Sequence, residues 1–256
     1  MIGIIPAAGA GLRIQPLGCS KELLPVGSRR VDGVERPKAV SEYLVERMVA
    51  AGVDRICMVI SAEKSDIVRY YAEREHAAEI FYAVQQKPRG LCDALFRAVP
   101  FVRDDEPVVI GLPDTIWFPE NALAEAVSRG PEVHLVLFPV DDPSSFDAVQ
   151  CDESSRVEQV IVKQPQPGTN WVWGAVSAGG RAFRDLHRLW RARHCEDEFL
   201  GHLLNAYIAA GNLVYGAALG ERYMDVGTLE GYHAAQDYLR ARSRPESAAP
   251  QRIPAA

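Results

Sequence analysis

The sequence predicts an α/β fold, a three-layer sandwich in which helices cover both faces of a mixed, mostly parallel sheet. Short apolar runs, typical of strands buried on both faces, alternate with segments whose apolar residues recur at helical spacing. This alternation indicates right-handed crossovers, which place successive strands parallel and the connecting helices against the sheet. The sequence contains no linker long enough to separate two independent domains.

The elements follow in a regular order at first. Strands are predicted at Ile2–Ala8, Arg55–Ser61, Ile80–Gln85, Pro107–Leu112 and Val133–Val140. Helices are predicted at Ala39–Ala51, Lys64–Glu73, Leu91–Val99 and Glu120–Arg129. Three successive strands then indicate antiparallel or mixed additions to the sheet, at Ala148–Asp152, Val157–Lys163 and Trp171–Ala178. The last predicted elements are helices at Gly180–Arg193 and Glu196–Ala210, a strand at Leu213–Ala218 and a helix at Leu229–Ala241.

The composition is that of a folded, soluble protein. The 256 residues include 28 Lys and Arg against 34 Asp and Glu, which gives a net charge of −6. This mild acidity argues against a protein that coats nucleic acid or an anionic membrane, and no apolar run approaches the roughly 20 residues that span a bilayer. We therefore expect a cytoplasmic protein that binds neither nucleic acid nor membrane.

The cysteines and the end of the chain complete the domain prediction. Five cysteines without CxxC spacing favour reduced thiols over a disulfide framework or a zinc site, and Cys57 and Cys92 lie among apolar neighbours typical of a core. Residues 242–256 are rich in Arg, Ser, Pro and Ala and have no periodicity. We predict one folded domain over residues 1–241 and a disordered tail over 242–256.

A glycine loop follows the first strand directly. At the carboxyl end of a strand in a parallel sheet, where ligands bind, Gly9 and Gly11 let backbone N–H groups next to Ala8 approach a phosphate or a base. The loop lacks the Gly-Lys-Ser/Thr ending of a P-loop. It also lacks the third glycine of a dinucleotide fingerprint, and Pro16 interrupts the helix that such a fingerprint would open. The pattern indicates a nucleotide site of another kind.

Two cations near the glycine loop make the prediction of a nucleotide site more specific. Arg13 follows the glycines, and Lys21 opens the string Lys-Glu-Leu-Leu-Pro. Together with Pro-Ala-Ala-Gly at the strand end, this segment resembles the signature of the sugar-phosphate nucleotidylyltransferases, most closely the glucose-1-phosphate uridylyltransferases. The resemblance implies a Rossmann-like sandwich of the nucleotide-diphospho-sugar transferase type. It also implies that Arg13 and Lys21 are catalytic, neutralising the triphosphate and the departing pyrophosphate.

Later segments extend the resemblance over nearly the whole chain. Residues 83–91 are similar to the base-recognition segment of glucose-1-phosphate thymidylyltransferases, which implies that Gln85 and Gly90 face the base. A Gln amide carries a donor and an acceptor, so it can pair with the imide edge that uracil and thymine share. Residues 161–165 resemble the family's Glu-Lys-Pro motif, which implies that Lys163 binds the sugar phosphate. Gly174 stands where relatives place a glycine against the sugar.

Two aspartates match the family's metal positions. Asp114 ends a buried strand, and Asp225 lies in an Asp-x-Gly-Thr motif before the last helix. Magnesium prefers one or two carboxylates together with substrate phosphates. The resemblance therefore implies a Mg²⁺ cofactor held by these two side chains.

The chain also departs from the family pattern. Leu12 replaces a threonine in the glycine loop, and Pro113 replaces the glycine before the first metal aspartate. Val162 stands where a sugar-binding glutamate is usual, and Asp147 where a glycine often contacts the hexose. A polar insertion at residues 28–36 is expected to be a solvated loop. These departures predict conserved phosphate chemistry and an altered sugar pocket.

The resulting hypothesis is an enzyme that joins a sugar 1-phosphate to UTP or dTTP, whose shared imide edge leaves the choice between them open. The alternative is a non-catalytic regulatory protein that binds nucleotide sugars on the same fold. A nicotinamide-dependent oxidoreductase is excluded by the missing third glycine. Relatives often form dimers or tetramers, so a homo-oligomer is expected without a defined state.

Overall fold

The computed structural model describes residues 1–73 and 76–243 of the chain. Its strands are β1 (Ile2–Pro6), β2 (Pro25–Val31), β3 (Val34–Ala39), β4 (Arg55–Ile60), β5 (Glu79–Val84), β6 (Pro107–Gly111), β7 (Thr115–Phe118), β8 (Val133–Pro139), β9 (Asp147–Cys151), β10 (Val157–Val162), β11 (Trp171–Gly179), β12 (Val214–Ala218) and β13 (Arg222–Asp225). Its helices are α1 (Val40–Ala50), α2 (Ser65–Ala72), α3 (Gly90–Phe96), α4 (Ala122–Val127), α5 (Gly180–Ala192), α6 (Leu200–Ala209) and α7 (Leu229–Ser243).

Within these described ranges, nine strands form one sheet. β6, β1, β4 and β5 lie side by side and parallel. β11 runs antiparallel to β6, β8 and β9, while β12 pairs parallel with β8 and β10 antiparallel with β9. Seven of the nine strands therefore share one direction, and β10 and β11 oppose them. The predicted mixed, mostly parallel sheet is confirmed.

Alternate residues of the central strands face opposite layers of helices. Ile4 of β1 belongs to a core cluster that includes Phe96 of α3 and Trp190 of α5. Its neighbour Ile5 belongs to a second cluster, with Leu44 of α1 on the other face of the sheet. This alternation follows from the two-residue period of a strand. It confirms the three-layer sandwich.

A third, smaller core lies under α7 and joins the two ends of the described chain. Val26 of β2, Ile116 of β7, Met224 of β13 and Ala235 of α7 are buried together there. α7 continues to Ser243, so the first two residues of the predicted tail are helical, and residues 244–256 lie outside the described residues. This core fixes the segments that carry Lys21 and Asp225 relative to each other.

Three local structures differ from the sequence prediction. The polar insertion is not a loop: β2 and β3 form a hairpin in which Val31 pairs with Val34 across a two-residue turn, where Asp32 and Gly33 adopt φ 51° and 78°. An Asp-Gly turn between strands is a recognised hairpin signal, and the prediction of a loop did not take it into account. β7 and β13 also went unpredicted because each has four residues. The helix predicted from Glu196 begins at Leu200.

The remaining general expectations concern cysteines and membranes. All five cysteines carry free thiols, and Cys57 and Cys92 are fully buried, as predicted. No helix within residues 1–73 and 76–243 has the length and apolar character needed to cross a bilayer.

Candidate active site

The two predicted metal aspartates are brought together by a short antiparallel ladder. β7 follows Asp114 and β13 ends at Asp225, and the register pairs Asp225 with Thr115. The N–H of Val226 donates to the carbonyl of Asp114 at 2.8 Å, which extends this pairing by one step. The backbone therefore places two carboxylates side by side from positions more than a hundred residues apart in the chain.

Both predicted catalytic cations contact these carboxylates. Arg13 donates from Nη1 to Oδ2 of Asp225 at 2.9 Å, and Lys21 donates from Nζ to Oδ2 of Asp114 at 2.5 Å. Burial alone would lower the pKa of Lys21, but the attraction and hydrogen bond of Asp114 raise it above its ordinary value. The ammonium is therefore charged at neutral pH, as a group that binds phosphate must be.

The pair of carboxylates fits magnesium. A Cβ placed on Gly227 would lie 2.8 Å from Oδ1 of Asp225 and 3.0 Å from Oδ2 of Asp114, so both oxygens border one small space that glycine keeps open. Among the described residues, no group of three or more His, Cys, Asp or Glu side chains could hold a metal alone. Magnesium needs one or two carboxylates when substrate phosphates supply the other ligands, which is what these two offer.

The glycine loop lies next to Lys21. Gly11 adopts φ +65°, and a Cβ there would lie 2.8 Å from Cδ of Lys21, so a side chain at this position would displace the cation. Gly9 is exposed, with no atom within 4 Å of the space a Cβ would fill. Ala8 is 6% exposed at the edge of the larger cavity described below. The loop thus presents backbone to an open space beside the cations.

Two polar contacts anchor the Lys21 segment to the start of α2. Lys64 donates from Nζ to both carboxylate oxygens of Glu22 at 2.8 Å and to the carbonyl of Ala7 at 2.7 Å. Ser20 donates from N and from Oγ to Asp66, both at 2.7 Å. Burial raises the pKa of Glu22, which is 1% exposed, against the opposing effect of Lys64. These four side chains were missed by the sequence prediction.

A cavity of about 670 Å³ opens beside Lys21 and the glycine loop, and we call it the larger cavity. Ala8, Lys21, Lys64, Asp66 and Gln85 line it. Gln85 is 5% exposed, and its Nε2 donates to the carbonyl of Gly90 at 3.2 Å and to Oδ2 of Asp93 at 2.8 Å. Its amide therefore has its donor committed within the protein and its acceptor remaining for a ligand.

The backbone conformation and close packing at Gly90 require a glycine there. It adopts φ +84°, and a Cβ there would lie 2.6 Å from Cα of Glu198. The N–H of Leu91 donates to the carbonyl of Glu198 at 2.8 Å, which holds the two segments in contact. Gly90 thereby joins the start of α3 to the loop before α6. Its contact with a base stays a prediction.

A second cavity, of about 240 Å³, has both aspartates in its lining, and we call it the smaller cavity. Its lining includes Arg13, both aspartates and Lys163, together with four aromatic side chains, Phe146, Trp173, Phe199 and Tyr223. Lys163 adopts φ +46°, and its Nζ lies 4.4 Å from the centre of the Phe199 ring. Arg13, Asp114 and Asp225 thus line the smaller cavity, while Lys21, which contacts Asp114, lines the larger one.

The residues that depart from the family pattern have distinct positions around the smaller cavity. Asp147 lines it, and burial raises the pKa of this carboxyl, partly offset by Trp173 and Lys163. Val162, its partner in the β9–β10 ladder, packs toward Gly201 and does not line the cavity. A Cβ on Gly174 would lie 2.4 Å from the Tyr223 ring, so aromatic packing alone requires this glycine. A sugar contact for Gly174 stays a prediction.

Fold and site together define a class of protein. Two cations and two carboxylates meet beside the glycine loop that follows a parallel strand, and their side chains line two cavities. The chain belongs to the nucleotidyl transferase family, whose model matches residues 2–242.

The relatives within this family are sugar-phosphate enzymes by name. A glucose-1-phosphate thymidylyltransferase from Neisseria meningitidis serogroup A is 27% identical over 249 residues, covering 94% of this chain and 83% of the relative. The enzyme of the same name from Xanthomonas campestris pv. campestris is 26% identical over 246 residues, covering 93% and 80%. The UDP-glucose pyrophosphorylase structure from Acinetobacter baumanii shares the fold, with a TM-score of 0.75 at 20% identity over 94% of this chain and 93% of that one.

Proposed function

We propose that this protein transfers a nucleotidyl group from UTP or dTTP to a sugar 1-phosphate, producing a nucleotide sugar and pyrophosphate. The observation that carries the proposal is the contact of Arg13 with Asp225 and of Lys21 with Asp114, in the linings of two cavities of unequal size. The larger cavity has room for a nucleoside triphosphate and the smaller one for a sugar phosphate. The names of the relatives support this reaction.

In the proposed reaction an oxygen of the sugar 1-phosphate attacks the α-phosphorus of the triphosphate. The bond from that phosphorus to the bridging oxygen breaks, and the electron pair leaves with pyrophosphate. Lys21 and Arg13 stabilise the negative charge that grows on the phosphoryl oxygens, and Lys163 positions the attacking phosphate. Holding the two substrates in line and neutralising their charge supplies the rate acceleration without a covalent enzyme intermediate.

We propose Mg²⁺ as the cofactor, held by Asp114 and Asp225. Mg²⁺ held there would neutralise negative charge on the substrate phosphates. Arg13 and Lys21 contact these carboxylates at 2.9 and 2.5 Å, so both cations would lie close to phosphates bound at the same place. The two cations, and the metal that the two carboxylates would hold, would therefore neutralise charge on the same substrate phosphates.

A substrate matrix tests the proposal. Pyrophosphate release is measured with UTP, dTTP, CTP, ATP and GTP, each combined with hexose, amino-sugar and pentose 1-phosphates. We expect a UTP or dTTP combination to be used best. Release with no combination, although a nucleotide sugar binds, would favour the regulatory alternative. Best use of a purine triphosphate would overturn the assignment of the base.

Two further proposals concern the context of the reaction. The five free thiols support a reducing compartment, and we propose the cytoplasm. We also propose that residues 1–241 act as one catalytic domain, since the side chains of both cavities come from positions 8 to 225.

A further inference from the structure

The amide of Gln85 is held between two groups that accept hydrogen bonds and cannot donate them. Its Nε2 lies 2.8 Å from Oδ2 of Asp93 and 3.2 Å from the carbonyl of Gly90. A carbonyl oxygen and an ionised carboxylate both lack a proton. Turning the amide over would place Oε1 against two acceptors, so one orientation of the side chain is strongly favoured.

Asp93 is itself fixed, and it lies behind Gln85. It is 4% exposed and accepts from Arg97 through both oxygens, at 2.8 Å from Nη2 to Oδ1 and at the longer distance of 3.4 Å from Nε to Oδ2. Asp93 and Arg97 line a separate cavity and are absent from the lining of the larger cavity, which Gln85 lines. Asp93 therefore does not contact a ligand bound in the larger cavity and acts on it only through Gln85.

We propose that Asp93 is a positioning residue that sets base specificity by presenting Oε1 of Gln85, and not its NH₂, to the base. None of the described residues donates a hydrogen bond to this oxygen. An acceptor in the site selects a base with a donor at the matching edge. Uracil and thymine carry N3–H there, whereas cytosine carries an unprotonated N3. This arrangement of Asp93 and Gln85 favours binding of UTP and dTTP over CTP.

This inference rests on the proposed function, because it needs a nucleotide base beside Gln85. The test variant is Asp93→Asn, which keeps the shape and replaces an acceptor by a group with one acceptor and one donor. Arg97 can only donate, so it draws the amide oxygen of the new side chain toward itself. The NH₂ of that side chain then faces Gln85 and drives its amide to turn over, bringing Nε2 toward the base.

The measured quantity is the ratio of kcat/KM for UTP to that for CTP, with the same sugar 1-phosphate. We expect wild type to prefer UTP and Asp93→Asn to lower the ratio about tenfold, the size of one hydrogen bond. The matched control is Arg97→Met, which leaves the Asp93 carboxylate in place and should keep the wild-type ratio. In Asp93→Asn/Arg97→Met the oxygen is free to return to Gln85, so part of the ratio should be restored.

A second measurement uses only the wild-type protein, so it tests the inference even if Asp93→Asn does not fold. Wild type is assayed with N3-methyl-UTP, which lacks the donor, and we expect it to be used at least tenfold less well than UTP. Equal use of UTP, CTP and N3-methyl-UTP by wild type, or an unchanged ratio in folded Asp93→Asn, would overturn the role of Asp93. Absence of pyrophosphate release with every triphosphate would instead refute the proposed function.

Discussion

The two cavities of the site are held in shape by different interactions. In the larger cavity, polar side chains are tied to polar partners: Lys64 to Glu22, and Gln85 to Asp93. In the smaller cavity, Phe146 and Tyr223 pack edge to face at 5.8 Å, and four aromatic side chains form part of the wall. One site is therefore shaped by directional hydrogen bonds and the other by packed surfaces.

This difference predicts how each cavity responds to change. A hydrogen-bonded side chain that loses its partner leaves a buried polar group unsatisfied, which is costly and changes its orientation. An aromatic wall keeps its position when a polar neighbour is replaced, because packing holds it. We expect substitutions around the larger cavity to affect stability and base recognition, and those in the smaller cavity to affect the acceptor.

The largest expected effect is on stability, at the ion pair beneath the larger cavity. Lys64→Met would leave the Glu22 carboxylate, 1% exposed, without its partner, and we expect a loss of about 3–5 kcal/mol in the free energy of unfolding. Urea denaturation followed by circular dichroism measures it. Replacing both partners, as Glu22→Leu/Lys64→Met, should recover most of the loss. A Lys64→Met protein as stable as wild type would show that the pair does not anchor this segment.

The next largest effect is expected on turnover, when either aspartate of the proposed metal site is replaced. Asp114→Asn or Asp225→Asn should lower kcat about 10²-fold or more, because each removes a charge that the metal and the phosphates require. The β7–β13 ladder is made by backbone atoms, so both variants should keep the fold, which circular dichroism checks. Pyrophosphate release in excess chelator should be lost as well. Full activity in chelator, or in either variant, would contradict the metal assignment.

Sequence patterns predicted the fold because each central strand carries its own signal. Strands such as β1 and β6 are apolar on both faces, and this local pattern is enough to place them. β7 and β13 were not found because four-residue strands are too short for periodicity to register. The hairpin at Asp32 and Gly33 was obscured by flanking charges, although its turn residues were a usable signal.

The site could be predicted only where its residues lie in motifs. Arg13, Lys21 and the two aspartates stand in contiguous strings, so resemblance found them. Ser20 and Asp66 meet across 46 positions, and no spacing rule links two segments that fold together. Motif resemblance put Val162 at the position of the family's sugar-binding glutamate. In the structure Val162 lies next to Gly201 and is not among the residues that line the smaller cavity, whereas Asp147 lines it.

A smaller effect is expected at the acceptor side. Asp147→Asn replaces the carboxylate that lines the smaller cavity and should lower kcat/KM for the preferred sugar 1-phosphate about tenfold, with the KM for the nucleotide unchanged. Glucose 1-phosphate should be compared with deoxy, amino and pentose sugar phosphates in both proteins. Glu158→Gln, an exposed carboxylate on the neighbouring strand, is the control. Equal loss with every acceptor would argue against recognition of one hydroxyl.

The smallest effect is the pH dependence of the second anchor of the larger cavity. Burial acts to raise the pKa of Asp66, but the hydrogen bonds from Oγ and N of Ser20 outweigh it and hold the pKa below its ordinary value. A lowered pKa in the folded state adds stability that is complete above the unfolded pKa of about 4 and is lost as the pH falls through the folded value.

Because Asp66 is partly exposed, this contribution should be no more than about 1 kcal/mol. Urea unfolding of wild type and Asp66→Asn at pH 6 and at pH 3 measures it. The difference between the two proteins should be present at pH 6 and should shrink at pH 3, where the carboxyl of the wild type takes up its proton. Asp105→Asn, which changes an exposed carboxylate on another surface, should show no such convergence. A difference that is the same at both pH values would mean that Ser20 is held by the shape of the loop and not by the charge of Asp66.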